Sequence, residues 1–225
     1  MKRIPTLELL DTDAGTPAEV AASLADLRRI NRWFGGTGTT VQLVQRVAQG
    51  CGAPVTPVSL SLLEVAAGSG YVPHAARDRL AQHGIRLDVT LLDRAHSHVG
   101  NGGSSVVSDA LTLPFRDSSF DLVSSVLFAH HLFPDELVQF VEESLRVCRK
   151  AVLINDLIRN PIHLALVYSG YPLYRSRLTR NDAPASVRQA YTQAEMREIL
   201  HRTNAARVEI DSYYLYRMGV IVWKQ

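Results

Sequence analysis

Two rhythms of apolar positions divide the chain, and one gives way to the other near residue 58. Before that point the spacing is helical. Thr16-Pro17-Ala18-Glu19 supplies an N-cap hydroxyl, a proline in the first turn and an acid three residues past the cap, which together mark a helix start. Leu24, Leu27 and Ile30 carry that helix forward on one face. Asn31-Arg32-Trp33-Phe34-Gly35-Gly36 reads as its break, and residues 39–48 as a second helix stopped by Gly50. Residues 1–16, with Asp11, Asp13, Gly15 and Thr16, read as a loose leader, while Pro54 and Pro57 punctuate the entry to the next segment.

From residue 58 short β-rich runs alternate with helical stretches. Strands are predicted at 58–65, 87–92, 105–107, 120–127 and 151–154, with helices at 73–83 and 134–148. Strands separated by helices imply βαβ crossovers and a parallel sheet covered on both faces. The pattern fails over 157–190, which holds no strand signal and is rich in Arg, Tyr and Pro. A helix at 193–203 and two strands at 207–210 and 214–223, an antiparallel hairpin, close the chain. The expectation is one domain. It has an N-terminal helical cap (1–54), an α/β core (55–156), a lid inserted after the fifth strand (157–190) and a C-terminal helix and hairpin (191–225).

Composition narrows the partners. The chain has 225 residues and a formal net charge of +2, with no Lys/Arg block of the kind that binds a polyanion. Neither a nucleic-acid partner nor a membrane span is expected. The N-terminus lacks an apolar signal core, and the run 163–174 is too short to cross a bilayer. Cys51 and Cys148 lack metal-type spacing, so they read as idle thiols in a reducing cytoplasm, and no metal site is expected.

The chemistry is concentrated at strand ends. Glu64 closes the first strand, and Gly68 and Gly70 follow it, one residue apart, ahead of a helix. Glycines there let the backbone turn and approach a ligand closely, and the helix behind them offers unpaired N–H groups. A nicotinamide site would show G-x-G-x-x-G with its acid about 20 residues on. Here an acid precedes the glycines, and the next strand-end acids are Asp93 and Asp109. A carboxylate at the second strand can accept from two ribose hydroxyls. One at the third, beside Ala110, can accept from an adenine amino group.

Glu64-x-Ala66-x-Gly68-x-Gly70, then Leu91-Leu92-Asp93, then Ser108-Asp109-Ala110-Leu111-x-Leu113-Pro114-Phe115, then Ser119-Phe120-Asp121-Leu122-Val123 resembles the class I S-adenosylmethionine-dependent methyltransferases. The likeness spans about 58–156 and is nearest to the branch acting on quinones, phenols and other small molecules. It implies a Rossmann-like, mostly parallel seven-stranded α/β sheet with helices on both faces and an antiparallel C-terminal strand. It implies S-adenosyl-L-methionine as cofactor, with Glu64 toward the methionine amino group and Gly68 and Gly70 beneath methionine and ribose. Asp93 takes the ribose, Arg94 lies along the adenine, and Asp109 and Ala110 meet the adenine edge, with Leu127 at the end of the fourth strand. Ala66 stands where the family usually has glycine.

The fourth strand runs into Leu127-Phe128-Ala129-His130-His131-Leu132. This puts two imidazoles near the transferred methyl group, and His130 or His131 is the expected general base. Trp33 and Phe34 from the cap, and His163, Tyr168, Tyr171 and Tyr174 from the lid, are the expected acceptor contacts. Arg175, Arg177 and Arg180 with Asp182 read as a salt-bridge lattice or an anion site. A narrower likeness, in 27–36, 154–157 and 175–188, is to bacterial methyltransferases of polyketide and phenolic-lipid pathways. The expected reaction is O-methylation of a small aromatic, phenolic or polyketide-derived acceptor by a monomer or homodimer. C-methylation of the quinone-biosynthesis type and non-catalytic cofactor binding are the alternatives. A nucleic-acid methyltransferase is disfavoured, because Leu127-Phe128-Ala129-His130 replaces the N/D-P-P-Y/F tetrad.

Overall fold

The computed structural model describes residues 1–12, 15–50, 57–95 and 104–225. The readings placed on Asp13, Cys51 and Pro54 lie outside them. Two helices, α1 (Pro17–Trp33) and α2 (Gly36–Gly50), precede the alternating part. There follow β1 (Val58–Val65), α3 (Tyr71–Ala81), β2 (Ile85–Asp93), β3 (Ser104–Val107), β4 (Phe120–Val126), α4 (Pro134–Val147) and β5 (Cys148–Leu157). Then come α5 (Pro161–Ser169), α6 (Arg177–Gln189), α7 (Gln193–Leu200), β6 (Arg207–Tyr213) and β7 (Arg217–Trp223).

The strands form one seven-stranded sheet in the order β3-β2-β1-β4-β5-β7-β6. The first five run parallel, and β7 lies antiparallel between β5 and β6. Alternate residues of each strand feed opposite layers, as the two-residue repeat of a strand requires. Leu60 and Leu62 of β1 pack with Val44 and Val47 of α2 and with Ala76 and Leu80 of α3. Leu63 and Val65 face the other way, toward Leu137, Phe140 and Val141 of α4 and Met196 of α7. Burial on both faces explains why these strands read as nearly continuous apolar runs. Among the described residues no helix is long and apolar enough to cross a membrane.

Two expectations about the N-terminal region are corrected. The break between the cap helices is narrower than 31–36: α1 runs through Trp33, and α2 starts at Gly36. A Cβ on Gly36 would lie 2.2 Å from Asn31 Oδ1 and 2.9 Å from its Cα. The glycine is there to let two helices meet, not to end one. Residues 1–12 are also not a loose leader. Arg3 donates from Nε to Gln189 O (2.7 Å) and from Nη2 to His130 O (2.9 Å) and Leu132 O (3.0 Å), and its guanidinium lies 4.2 Å from the Tyr191 ring centroid. The amides of Leu9 and Leu10 donate to the Asp182 carboxylate at 2.8 and 3.0 Å. The segment is a strap, tied by charge-assisted bonds over the C-terminal ends of the strands.

Candidate active site

A cavity of about 1300 Å³ opens at those strand ends, where open α/β sheets bind their ligands. Glu64, Ala66, Gly68, Asp93, Arg94, Asp109, Ala110 and Leu127 line one half of it.

The turn after β1 is held by its neighbour strand. Gly68 N donates to Asp93 Oδ2 at 2.7 Å, Ala67 N to Leu92 O at 3.0 Å, and Ala95 N to Asp93 Oδ1 at 2.9 Å. Asp93 thus fixes two loops and keeps lone pairs for a ligand. Gly68, Gly70 and Ala66 all have positive φ (50°, 65° and 54°). A Cβ on Gly68 would meet nothing within 4 Å, so that backbone faces open space. Gly70 does not line the cavity. A Cβ there would come within 2.5 Å of Leu91 Cδ1, so it shapes the turn from behind. Ala66 and Leu127 (φ 57°) hold left-handed conformations that cost a non-glycine residue about 1–2 kcal/mol, a strain of the kind kept at ligand sites.

Glu64 is 1 % exposed, and among the described residues its hydrogen bond comes from the Ser124 hydroxyl. Burial pushes its carboxyl up to about 7, against the pull of that bond. A buried acid so placed gains by meeting a cation, which an aminoacyl ammonium supplies. Asp109 is exposed and caps its own turn through Leu111 N at 2.8 Å. These features fit the methionine, ribose and adenine portions of S-adenosylmethionine.

The other half joins segments far apart in sequence. His130 sits in a 3-10 turn after β4 and is 2 % exposed. Asp156, at the end of β5, accepts from His130 N at 3.0 Å and lies 2.6 Å from Nδ1. The opposite ring nitrogen, Nε2, makes no hydrogen bond among the described residues and lies 3.5 Å from Glu8 Oε1 of the strap. Burial disfavours the imidazolium, but Asp156 and Glu8 outweigh it and raise the His130 pKa. Burial likewise opposes ionisation of Asp156, yet the His130 charge and the hydrogen bonds it receives hold its pKa low. His131 has Nδ1 3.0 Å from Asp11 Oδ2 and Nε2 3.9 Å from Glu8 Oε1. Glu8 Oε1 is itself fixed by Ser186 Oγ (2.6 Å) and Gln189 Nε2 (2.7 Å) of α6.

Beyond this cluster, Arg217 is 1 % exposed and bonds to Asn31 Oδ1 at 2.8 Å and more distantly to Asn155 Oδ1. Burial lowers its pKa to about 10. Asn155 Nδ2 in turn donates to Gly36 O (2.7 Å) and Thr40 Oγ1 (2.9 Å), which ties the cap helices to the sheet.

Of the expected acceptor contacts, Trp33, Phe34, His163 and Tyr174 line the cavity, while Tyr168 and Tyr171 do not. Those two rings pack on one another at 5.2 Å, and Tyr168 also accepts from Arg188. The arginine lattice is not made either. Asp182 binds the strap, Arg177 pairs with Glu19 of α1, and Arg180 donates to Tyr174 O. The ion pairs of the segment clamp its neighbours, while Arg180 and Arg188 bond to Tyr174 and Tyr168 within it. Glu8, Asp156, Asn31 and Arg217 were missed as site residues. The only local hint for Glu8 was its place among Leu7, Leu9 and Leu10, apolar residues in a supposedly solvated leader.

Sheet order, cavity and strand-end acids define a doubly wound α/β protein that binds an adenosine-type cofactor at its switch point. Residues 63–154 match the methyltransferase-domain family model. That stretch is a methyltransferase domain, it holds the strand-end acids of the cradle, and S-adenosylmethionine is the cofactor it takes. No curated protein matches it. Similar solved structures include a SAM-dependent methyltransferase from Aquifex aeolicus (16 % identity, 80 % of this chain and 89 % of that one, TM-score 0.54). The plantazolicin methyltransferase BpumL in complex with SAH is similar over 97 % of this chain and 95 % of its own, at 11 % identity and TM-score 0.66. The magnesium protoporphyrin IX methyltransferase from Synechocystis shares 16 % identity over 87 % of both chains, with TM-score 0.52. At these identities the likeness carries the fold.

Proposed function

We propose that this enzyme methylates a hydroxyl oxygen of a small, aromatic or polyketide-derived acceptor. The observation that carries the reading is one continuous cavity, with the Glu64–Asp93 cradle on one side and the Glu8–His130–His131 cluster on the other. When bound, the cofactor supplies an activated methyl group on a sulfonium, so the chain needs only to orient the acceptor and ionise it. Glu64 meets the amino group, Asp93 the ribose, and Asp109 with Ala110 the adenine edge. Trp33, Phe34 and Tyr174 give the acceptor apolar walls. Its hydroxyl loses its proton at the cluster. A histidine base is the simplest agent, but His130 is held toward its imidazolium form by Asp156 and Glu8, which makes it a weak proton acceptor unaided.

Incubating the enzyme with methyl-labelled cofactor and a panel of phenols tests the reading. Label recovered on oxygen supports it. Label recovered only on carbon favours the quinone-type reaction, and cofactor binding without transfer to any acceptor sinks both.

A further inference from the structure

Three carboxylates crowd two imidazoles at the acceptor end of the cavity. Asp156 lies on Nδ1 of His130, Asp11 lies on Nδ1 of His131, and Glu8 lies between the two Nε2 atoms. A carboxylate on Nδ1 holds a proton on that nitrogen, so once a cation displaces the second proton that Asp156 and Glu8 favour on His130, each ring turns its Nε2 lone pair toward Glu8. Three lone-pair donors, one each from Glu8, His130 and His131, then lie within 4.8 Å of one another. They repel unless something positive sits among them.

A proton is the first candidate. An imidazolium–carboxylate bond closes to about 2.7–2.9 Å, whereas His130 Nε2 stands 3.5 Å from Glu8 Oε1 and, among the described residues, makes no hydrogen bond although it is buried. Two ligands on a tetrahedral cation, each about 2.1 Å from it, lie about 3.4 Å apart. The 3.5 Å separation matches that spacing, and the 3.9 Å between Glu8 Oε1 and His131 Nε2 misses it by a few tenths. The outer contacts also have the form of a metal site, where a ligating histidine donates its far N–H to a carboxylate. Ser186 and Gln189 orient the third ligand.

We propose that Glu8, His130 and His131 form a site for a divalent first-row transition cation of the zinc class. Two imidazoles and a carboxylate suit such an ion better than magnesium or calcium, which favour all-oxygen shells. All three residues line the cavity, so the open coordination position faces the acceptor. This rests on the O-methylation reading and names the agent of ionisation. A cation held there would lower the pKa of the acceptor hydroxyl so that its proton leaves to solvent; the oxygen lone pair then forms the O–C bond as the S–C bond breaks, leaving the neutral thioether. The strap completes the site by bringing in Glu8.

Full-length protein, stripped with a chelator and titrated with Co²⁺ alone, tests this through visible d–d absorption. One Co²⁺ per chain should bind with a Kd of about 10 μM or tighter, and Zn²⁺ should displace it. Glu8→Gln and His131→Ala should each weaken binding about 100-fold while S-adenosylhomocysteine binding shows both variants folded. No saturable Co²⁺ binding by the wild type overturns the site, as does wild-type binding in both variants. Full turnover in chelator with no bound metal overturns it too, and leaves O-methylation standing. Co²⁺ bound stoichiometrically by a protein that methylates no hydroxyl supports the site and sinks O-methylation instead.

Discussion

The two halves of the cavity are built on different principles. The cofactor half is made of consecutive strand ends. Glu64, Gly68, Asp93 and Asp109 lie where three neighbouring parallel strands stop, and Asp93 stitches two of those ends together through Gly68 N and Ala95 N. The acceptor half is assembled from the strap, the turn after β4, the end of β5, α1 and β7, which meet only in the folded chain. The first half is set by backbone geometry and can be preorganised early. The second depends on a terminal segment held by Arg3, Asp182, Ser186 and Gln189.

If that contrast is right, changes on the two sides should separate. The largest effect is expected for Glu8→Gln, which removes the strap's charge from the cluster. Turnover at saturating cofactor should fall about 100-fold or more, read by single-turnover methyl transfer.

Next in size is Gly70→Ala. The new Cβ would meet Leu91 Cδ1 at 2.5 Å in a backbone at φ 65°. A loss of about 1–3 kcal/mol in unfolding free energy should follow, seen as a lower denaturant midpoint with an unchanged slope.

The smallest effect is one of pH. Burial raises Glu64 to about 7 from an ordinary value of 4.5. Its ionisation therefore weakens the empty fold as pH rises from the unfolded pKa through the folded one, and a bound ammonium relieves that strain. Cofactor affinity should fall as pH drops below about 7, by up to tenfold per pH unit, with a proton released on binding at pH 6 and none at pH 8. Calorimetry in buffers of different ionisation enthalpy checks this, and Glu64→Gln should abolish the dependence.

The same contrast governs what could be read from the chain. The β1 bounds of 58–65 were legible to the residue, because a strand buried on both faces announces itself as an apolar run between breakers. The acids at 93 and 109 were legible because they end such runs. Glu8 was not, since its apolar neighbours hint at burial but nothing local says that α6 will cover the acid. Asp156 lies just past the run predicted at 151–154, and its pairing with His130 depends on β4 and β5 being neighbours. Tyr168 misled for a related reason: the α5 sequence is apolar all round, so it does not say which face meets the cavity. Tyr171 lies past the end of α5, in a 3-10 turn, and packs on Tyr168. Cys148 is fully buried, and desolvation pushes its thiol up to about 11.

The central claim is that one cavity holds two separable halves, and titration calorimetry with S-adenosylhomocysteine tests it most directly. Asp93→Ala should weaken binding about 10- to 100-fold, the worth of charged hydrogen bonds of about 1.5–3 kcal/mol. Glu8→Gln should change it by no more than about twofold, as expected for an independent site. Undiminished binding by Asp93→Ala, or a loss in Glu8→Gln as large as that predicted for Asp93→Ala, would contradict the account.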